Sequence, residues 1–193
     1  MDVEIEQATL EQLAIVAAIL QEAAAWAERA HERLWVEAEL APDAIRREVE
    51  QGQFFLARSG RDPVGTLRYQ IEDRLFWPDA RGDDAAYVHR LAVRRCYAGR
   101  GVAAAMLRWA AARARAEGRR YLRLDTDITR PGLRALYEGC GFVPHSERQV
   151  GPYRVMRYQL ELGGGTDERP GVVPTRSARV RRGRQSITRG GTR

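Results

Sequence analysis

The chain has 193 residues, 44% of them hydrophobic, and a formal net charge of +6, which suits one folded domain with a tail and no more. Two cysteines, Cys96 and Cys140, and three scattered histidines are too few for a disulfide framework or a zinc site. There is no run of eighteen apolar residues and no basic-then-apolar leader, so we expect no membrane span, no secretion and a cytoplasmic location.

The excess positive charge lies at the end of the chain. Residues 163–193 hold eight arginines against Asp167 and Glu168, whereas residues 1–162 hold 24 basic and 24 acidic side chains. The end segment has almost no large apolar side chains, so we predict a folded domain over 1–162 and a disordered tail over 163–193. This tail could bind nucleic acid or an acidic partner, or be merely solvated. It lacks aromatic residues for stacking on bases, which disfavours nucleic-acid binding.

Helical and strand patterns alternate along residues 1–162. A short strand around residues 3–7 precedes a helix to about residue 29, which Thr9 and Gln12 can begin as a capping box. Pro42 suits the first turn of a second helix, over 42–51. The remaining predicted elements are strands over 54–58 and 64–71, a polar loop over 73–84, a strand over 86–93, a helix over 102–117, a strand over 121–124, a helix over 133–140, and strands over 142–143 and 153–162. Their order is β α α β β β α β α β β, a mixed α and β fold.

A loop with two glycines connects the strand over 86–93 to the long helix. Gly99 and Gly101 let the backbone approach a ligand closely, and free N–H groups at the helix start favour an anion such as a pyrophosphate. The dinucleotide-binding pattern requires a third glycine where Ala104 stands, and the Walker A pattern requires a lysine, which this chain lacks. Taken alone, a Gly-x-Gly turn before a helix is therefore a weak signal for an anion site.

Two stretches resemble the GCN5-related N-acetyltransferases, the GNAT family. Residues 91–107 (LAVRRCYAGRGVAAAML) are similar to its motif A, with residues 98–103 at the Q/R-x-x-G-x-G/A core. Residues 135–144 (ALYEGCGFVP) are similar to its L-Y-x-x-x-G-F signature. The resemblance implies the GNAT fold, a mixed, mostly antiparallel sheet of about seven strands flanked by about four helices. It also implies direct transfer of an acetyl or other short acyl group from acyl-CoA to an amine, without a metal.

The resemblance assigns the donor site to both stretches. Backbone groups of Leu91, Ala92 and Val93 would contact the pantetheine arm. The pyrophosphate would lie against Ala98, Gly99, Arg100, Gly101, Val102 and Ala103. Tyr137 would lie near the departing thiol and act as a general acid, or would be a helix residue with no proton to give.

Two positions depart from the family pattern. Ala98 stands where a Gln or Arg would contact the phosphates, and Arg95 or Arg100 could supply the missing contact. Arg130 stands where many members have Asn; it could reach a cofactor phosphate or face water. These departures favour a catalytically degenerate acyl-CoA-binding module as one alternative function.

The acceptor amine must lose a proton, and amines are largely protonated at neutral pH. His89 is the first candidate base, because its ordinary pKa suits the task and period-two geometry places it on the same strand face as Leu91. Asp125 and Asp127, just after the strand over 121–124, are the next candidates, with loop capping as their alternative role. His89 could also be a buried histidine that only hydrogen-bonds its neighbours.

By the same resemblance, Trp35, Trp77 and Tyr153 belong to segments that line the acceptor site, where Asp125 could also contact the acceptor. Aromatic walls suit an apolar, planar or cationic amine, although the aromatic residues could serve ordinary packing. We predict a primary amine of a small molecule as the acceptor, with a protein or peptide N-terminus as the alternative. Family members often dimerise, so a homodimer is a further expectation.

Overall fold

The computed structural model describes residues 2–30, 35, 37–80 and 84–163, and the expected order of elements is confirmed. The helices are α1 (Leu13–Arg29), α2 (Pro42–Glu50), α3 (Val102–Ala116) and α4 (Pro131–Gly139). The strands are β1 (Glu4–Gln7), β2 (Phe54–Ser59), β3 (Asp62–Gln70), β4 (Ala85–Val93), β5 (Tyr121–Asp127), β6 (Val143–Val150) and β7 (Tyr153–Glu161). The predicted tail, apart from Gly163, lies outside the described residues.

The seven strands form one open sheet in the order β1-β2-β3-β4-β5-β7-β6. Neighbouring strands are antiparallel, except for the parallel pair β4 and β5. A parallel pair needs a crossover, which α3 provides. This is the mixed, mostly antiparallel sheet that the resemblance implies.

Helices cover both faces of the sheet, and strand side chains alternate between the two resulting cores. On β2, Phe55 and Ala57 face the core under α3 and α4, whereas Phe54 and Leu56 face the core under α1 and α2. All four side chains are buried. Truncating one of them, for example Leu56→Ala, would cost about 2–5 kcal/mol of stability. Each face of the sheet is therefore covered by a packed hydrophobic core.

The N-terminal helix belongs to one of these cores. The segment Leu10–Arg29, α1 with its preceding turn, is long and apolar enough to cross a membrane by length and composition alone, with a mean hydropathy of 1.2. However, Val16, Ile19 and Leu20 are completely buried against α2 and the sheet. The predicted capping box of Thr9 and Gln12 is confirmed at its start. These are the contacts of an amphipathic core helix.

Two strands are longer than the sequence predicted. β5 continues to Asp127 because its second half pairs with β7, so Asp125 and Asp127 are strand residues and do not belong to a following loop. β6 covers Val143–Val150 and forms a hairpin with β7. The mostly polar, exposed sequence of β6 hides this strand from an analysis of hydrophobic periodicity.

β4 and β5 separate along their length. Their parallel pairing ends at Val88 and Leu124, after which β4 pairs only with β3 and β5 only with β7. His89 and Asp125 are therefore the first residues beyond the fork. The parted strands leave a wedge-shaped opening, and backbone groups of both strands that face this opening make no sheet pairing across it.

A bulge in β4 determines which side chains face this opening. Arg90 has a φ of +50°, which is unusual for a residue with a side chain, and the pairing with β3 shifts beside it. Val88 and Leu91 consequently pack against the same core, whereas the His89 ring lies on the other face, 5.7 Å from that of Phe76. The prediction that His89 and Leu91 share a face is wrong, because the bulge interrupts the period of two.

Candidate active site

Two cavities meet at the opening between β4 and β5. The larger, of about 700 Å³, lies beside the loop after β3 and the β6–β7 turn; we call it the acceptor cavity. The smaller, of about 400 Å³, extends from the end of β4 to the loop before α3; we call it the donor cavity. Leu91, Arg130 and Leu133 line both and mark their junction.

The donor cavity lies between the end of β4 and the start of α3. Residues 91–93 line one wall, with a backbone edge that does not pair with β5. Gly99 and Gly101 have φ values of +74° and +82°, in the left-handed region that favours glycine. Gly101 is the N-cap of α3 and has no side chain to cap the helix, so the first N–H groups remain available to an anion. These features fit the arm and pyrophosphate of a CoA thioester.

A stacked pair of side chains flanks the same cavity. The guanidinium carbon of Arg95 lies 4.0 Å from the centre of the Trp26 ring, and both residues line the donor cavity. Glu22 of α1 accepts hydrogen bonds from the Arg95 N–H at 2.8 Å and from Arg94 Nη1 at 2.9 Å. Helix α1 thereby holds the loop before α3, and places a cation near Ala98, which offers no polar side chain.

Most of the residues assigned to the donor site by resemblance line the donor cavity: Leu91, Ala92, Val93, Ala98, Gly99, Gly101, Val102, Ala103 and Arg130. Arg100 does not line it; its guanidinium carbon lies 5.5 Å from the centre of the Tyr97 ring. Arg130 is buried at the start of α4 and lines both cavities. Of the two alternatives for Arg130, exposure to water is therefore wrong.

Aromatic side chains form part of the acceptor cavity. Trp35, Phe76 and Tyr153 line it, and Tyr153 Oη lies 3.5 Å from Glu39 Oε1. Trp77 does not line this cavity, because it is only 3% exposed and packs in a small hydrophobic cluster beneath the loop. The expected contact between Trp77 and the acceptor is corrected accordingly: Phe76 reaches the cavity and Trp77 anchors the loop.

Three titratable side chains from three elements meet at the fork. His89 Nε2 lies 3.0 Å from Oδ2 of Asp73, which belongs to the loop after β3, and His89 Nδ1 lies 3.6 Å from Asp125 Oδ1. Asp73 Oδ1 accepts hydrogen bonds from the N–H groups of Leu75 and Phe76 at 3.2 and 3.0 Å. Asp73 is not among the candidates that the sequence indicates, since an Asp in a polar loop carries no local signal of the strand residue that it will face.

Burial and mutual charge determine the pKa values in this cluster. Burial acts to raise the pKa of Asp73, but His89 and the two N–H donors hold it below its ordinary value. Burial acts to lower the pKa of His89, but the hydrogen bond to Asp73 and the charge of Asp125 raise it overall. Burial raises the pKa of Asp125 to about 6, against the opposing charge of His89. Near neutral pH, Asp125 is therefore the carboxylate closest to exchanging a proton.

Tyr137 of α4 also lines the acceptor cavity. Its ring is buried and packs against those of Phe142 and Tyr158, with centroids 6.2 and 5.8 Å away. Burial, followed by the charge of Asp125, raises the pKa of the Tyr137 phenol well above its ordinary value. The phenol therefore stays protonated at neutral pH, as a proton donor must.

The cluster at the fork also has a spacing that a metal ion could bridge, since ligand atoms of Asp73, His89 and Asp125 lie within 4.8 Å of one another. In this arrangement, His89 Nε2 is engaged by the hydrogen bond to Asp73. The expectation of a site without metal stays a prediction.

Comparisons with known proteins agree with this geometry. A model of the Acetyltransferase (GNAT) family matches residues 15–142, from the first turn of α1 to the residue before β6. The uncharacterized N-acetyltransferase YesJ of Bacillus subtilis is 28% identical over 102 residues, which are 51% of this chain and 57% of that protein. The chain thus spans little more than half the length of this curated relative.

Solved structures share the fold at low sequence identity. A GNAT-family acetyltransferase of Listeria monocytogenes superposes with a TM-score of 0.69 at 18% identity, covering 82% of this chain and 94% of that chain. The aminoglycoside acetyltransferase AAC(6')-Ib, in complex with coenzyme A and kanamycin, superposes with a TM-score of 0.69 at 14% identity, covering 83% and 95%. With the fold, the glycine loop and the family match in agreement, the chain belongs to the GNAT family of acetyltransferases.

Proposed function

We propose that the protein transfers an acetyl group, or another short acyl group, from acyl-CoA to a primary amine of a small molecule. The observation that carries this proposal is that Asp125 and Tyr137 line one cavity beside the junction with the donor cavity. A carboxylate able to take a proton and a phenol able to give one are what amine attack on a thioester requires.

The donor cavity would hold the acyl-CoA. Residues 91–93 would bind the pantetheine arm through the free edge of β4, and the glycine loop would bind the pyrophosphate at the start of α3. Arg95, held over Trp26, would supply the charge that Ala98 does not. Acetyl-CoA supplies an electrophilic thioester carbon and a thiolate leaving group. Arg130, at the junction, would lie near this reactive end.

Asp125 is proposed to accept the proton of the amine. Asp125 lines the acceptor cavity, and its buried Oδ1 faces His89 Nδ1 at 3.6 Å and accepts no hydrogen bond from any described residue. His89 would act as an imidazolium whose charge lowers the pKa of Asp125 and keeps it ionised at neutral pH. Because the pKa of His89 is itself raised, His89 is a weaker candidate for the base than the sequence indicated.

Tyr137 is proposed to protonate the leaving thiolate. As the amine nitrogen bonds to the acyl carbon, the carbon–sulfur bond breaks and its electrons remain on sulfur. The proton of the amine goes to Asp125, and that of the Tyr137 phenol goes to the thiolate. Solvent then restores both groups.

The acceptor cavity supports an amine with a positive or planar body. Trp35, Phe76 and Tyr153 offer ring faces to such a body, and the carboxylate of Glu39 lies at the Tyr153 hydroxyl. A volume of about 700 Å³ accommodates a small molecule of ordinary ligand size. A cytoplasmic location and a homodimer remain predictions.

The test begins with calorimetric titration of the full chain with acetyl-CoA, for which we expect a Kd of roughly micromolar size. A thiol-release assay then screens primary amines, polyamines, aminoglycosides and peptides with free N-termini. Turnover with a small amine supports the proposal. Turnover with peptides alone would instead identify a protein or peptide N-terminus as the acceptor. Binding of acetyl-CoA without turnover on any amine would favour the degenerate module.

Replacing His89 by Gln tests the proton acceptor. Loss of the imidazolium should raise the pKa of Asp125 above 6, so that kcat/KM for the amine falls at pH 7 and recovers at higher pH. Wild type should show its acidic limb near pH 6. A pH profile that does not change in His89→Gln would remove both residues from the proton transfer.

A further inference from the structure

A buried arginine connects the sheet to the loop that carries Asp73. Arg157, 5% exposed, lies on β7 directly opposite Asp125 of β5. Its Nη1 donates to the carbonyl oxygen of Phe76 at 3.2 Å, and its two terminal nitrogens hold the carboxylate of Asp79 at 2.5 and 3.1 Å. Its guanidinium carbon lies 4.6 Å from the centre of the Trp77 ring. Nε and Nη2 also donate to Ser146 Oγ, at 2.9 and 2.6 Å.

These contacts continue to the fork through hydrogen bonds. Phe76 accepts a hydrogen bond from Arg157 at its carbonyl oxygen. The N–H of Phe76 in turn donates to Asp73 Oδ1 at 3.0 Å. Asp73 Oδ2 then contacts His89 Nε2 at 3.0 Å. A guanidinium presents its N–H groups in fixed directions, so it can set the position of a loop in a way that a flexible ammonium cannot.

We propose that Arg157 is a positioning residue for proton transfer: it holds Phe76 and Asp79 so that Asp73 keeps His89 with Nδ1 toward Asp125. This inference rests on the proposed function, in which His89 keeps Asp125 ionised. Arg157 makes no hydrogen bond to His89 and does not line the acceptor cavity, so it would act through the loop.

The alternative is that Arg157 acts only through its charge. The charged groups that face His89 are Asp73 from the loop, Asp125 from β5 and Arg68 from β3. Asp125 is faced in addition by Arg157 and by the phenol of Tyr137. Removing a positive charge close to the cluster would raise the pKa of His89, whereas loss of the Asp73 hydrogen bond would lower it. The two explanations therefore predict opposite signs.

Arg123 provides a matched control. It is 7% exposed and lies over the same Trp77 ring, at 4.9 Å. Among the described residues, its hydrogen bonds go to Gln159, Asp84 and Tyr87, and none of these three side chains hydrogen-bonds to the segment from Asp73 to Asp79. A variant at Arg123 therefore removes a buried guanidinium from Trp77 without releasing Phe76.

The experiment measures the titration of the His89 imidazole by NMR in the full chain, which has only three histidines and allows assignment with His89→Gln. Three variants are compared with the control Arg123→Gln. They are Arg157→Gln, the charge-preserving Arg157→Lys, and Asp79→Asn, which alters the exposed partner of Arg157. We expect the His89 midpoint to fall by roughly 0.5–1 pH unit in the first three and to stay in place in Arg123→Gln. We also expect kcat/KM for the amine to fall roughly tenfold or more in Arg157→Lys, with the Kd for acetyl-CoA unchanged.

Several outcomes would overturn the inference. A rise of the His89 midpoint in Arg157→Gln with no change in Arg157→Lys would assign Arg157 a charge effect alone. An equal fall of the His89 midpoint in Arg123→Gln would show that Arg157 acts only by packing on Trp77. If Asp79→Asn and Arg157→Lys both fold and leave the His89 midpoint unchanged, the position of the loop does not influence His89. If wild type transfers no acyl group while the NMR midpoints shift as expected, the proposed function fails and the positioning contact stands.

Discussion

Replacing Asp125 by Asn tests whether this buried carboxylate destabilises the folded protein and also serves as the proton acceptor. The pKa of Asp125 rises from an ordinary 3.8 to about 6 because it is buried. Each pKa unit corresponds to about 1.4 kcal/mol, so ionised Asp125 destabilises the folded state by up to about 3 kcal/mol. The folded protein binds this proton more tightly than the unfolded chain. Binding of this proton therefore stabilises the folded state fully below pH 3.8, and this contribution is lost as the pH rises through about 6.

Asparagine cannot ionise, but its amide is buried in the same place without assured partners. We therefore expect a net gain of about 1–2 kcal/mol at pH 8, which raises Tm by roughly 2–8 °C in a domain of this size. The gain should shrink as the pH falls toward 4, where the wild-type carboxyl is protonated in the folded protein. At the same time kcat should fall roughly a hundredfold or more, because the proposed proton acceptor is gone.

The assay combines thermal unfolding followed by circular dichroism at pH 8 and pH 4.5 with thiol release at pH 8. Asp127→Asn is the control, because Asp127 lies on the same strand and its Oδ1 accepts hydrogen bonds from the Thr129 N–H and hydroxyl at 2.9 and 2.6 Å. That variant should gain no stability. Asp125 is not a destabilising proton acceptor if Asp125→Asn is no more stable than wild type at pH 8, if its gain does not depend on pH, or if it retains full turnover.

Three further predictions concern the donor side and the leaving group. Tyr137→Phe should lower kcat roughly 10- to 100-fold and leave the KM for acyl-CoA nearly unchanged in thiol-release kinetics; a loss confined to KM would contradict the general-acid role. Gly101→Val, at a φ of +82°, should abolish acetyl-CoA binding in calorimetry, whereas Gly118→Val, at +73° beyond the other end of α3, should cost similar stability and still bind. Arg95→Ala should raise the KM for acetyl-CoA roughly tenfold, and Arg100→Ala should not; the difference should vanish with an acyl-pantetheine donor that lacks the phosphates.

The glycine loop beside the donor cavity could be predicted because its signals are local. Gly99 and Gly101 precede a helix, and their positive φ values follow from the residue type at the turn. The place of Arg130 is different, because only the packing of α4 against the fork decides that this side chain is buried between two cavities. Neither its charge nor its neighbours in sequence distinguish that position from a solvated one.

The acceptor side could be predicted only in part. Trp35 and Tyr153 line the acceptor cavity as expected. Whether Phe76 or Trp77 lines it depends on which of these adjacent aromatic residues packs against the arginines of β5 and β7. The bulge at Arg90 likewise depends on the pairing of β4 with β3, so the face to which His89 points does not follow from its spacing to Leu91.

The sequence by itself determined the order of the elements, the first helix cap and the glycine loop before α3, because hydrophobic periodicity, capping residues and glycines act over a few neighbouring positions. Only the tertiary structure decided that Asp73, His89 and Asp125 form one cluster. These residues come from a loop and two strands that meet where β4 and β5 part. Their pKa values depend on burial and on distances across the chain, and neither is encoded in local spacing.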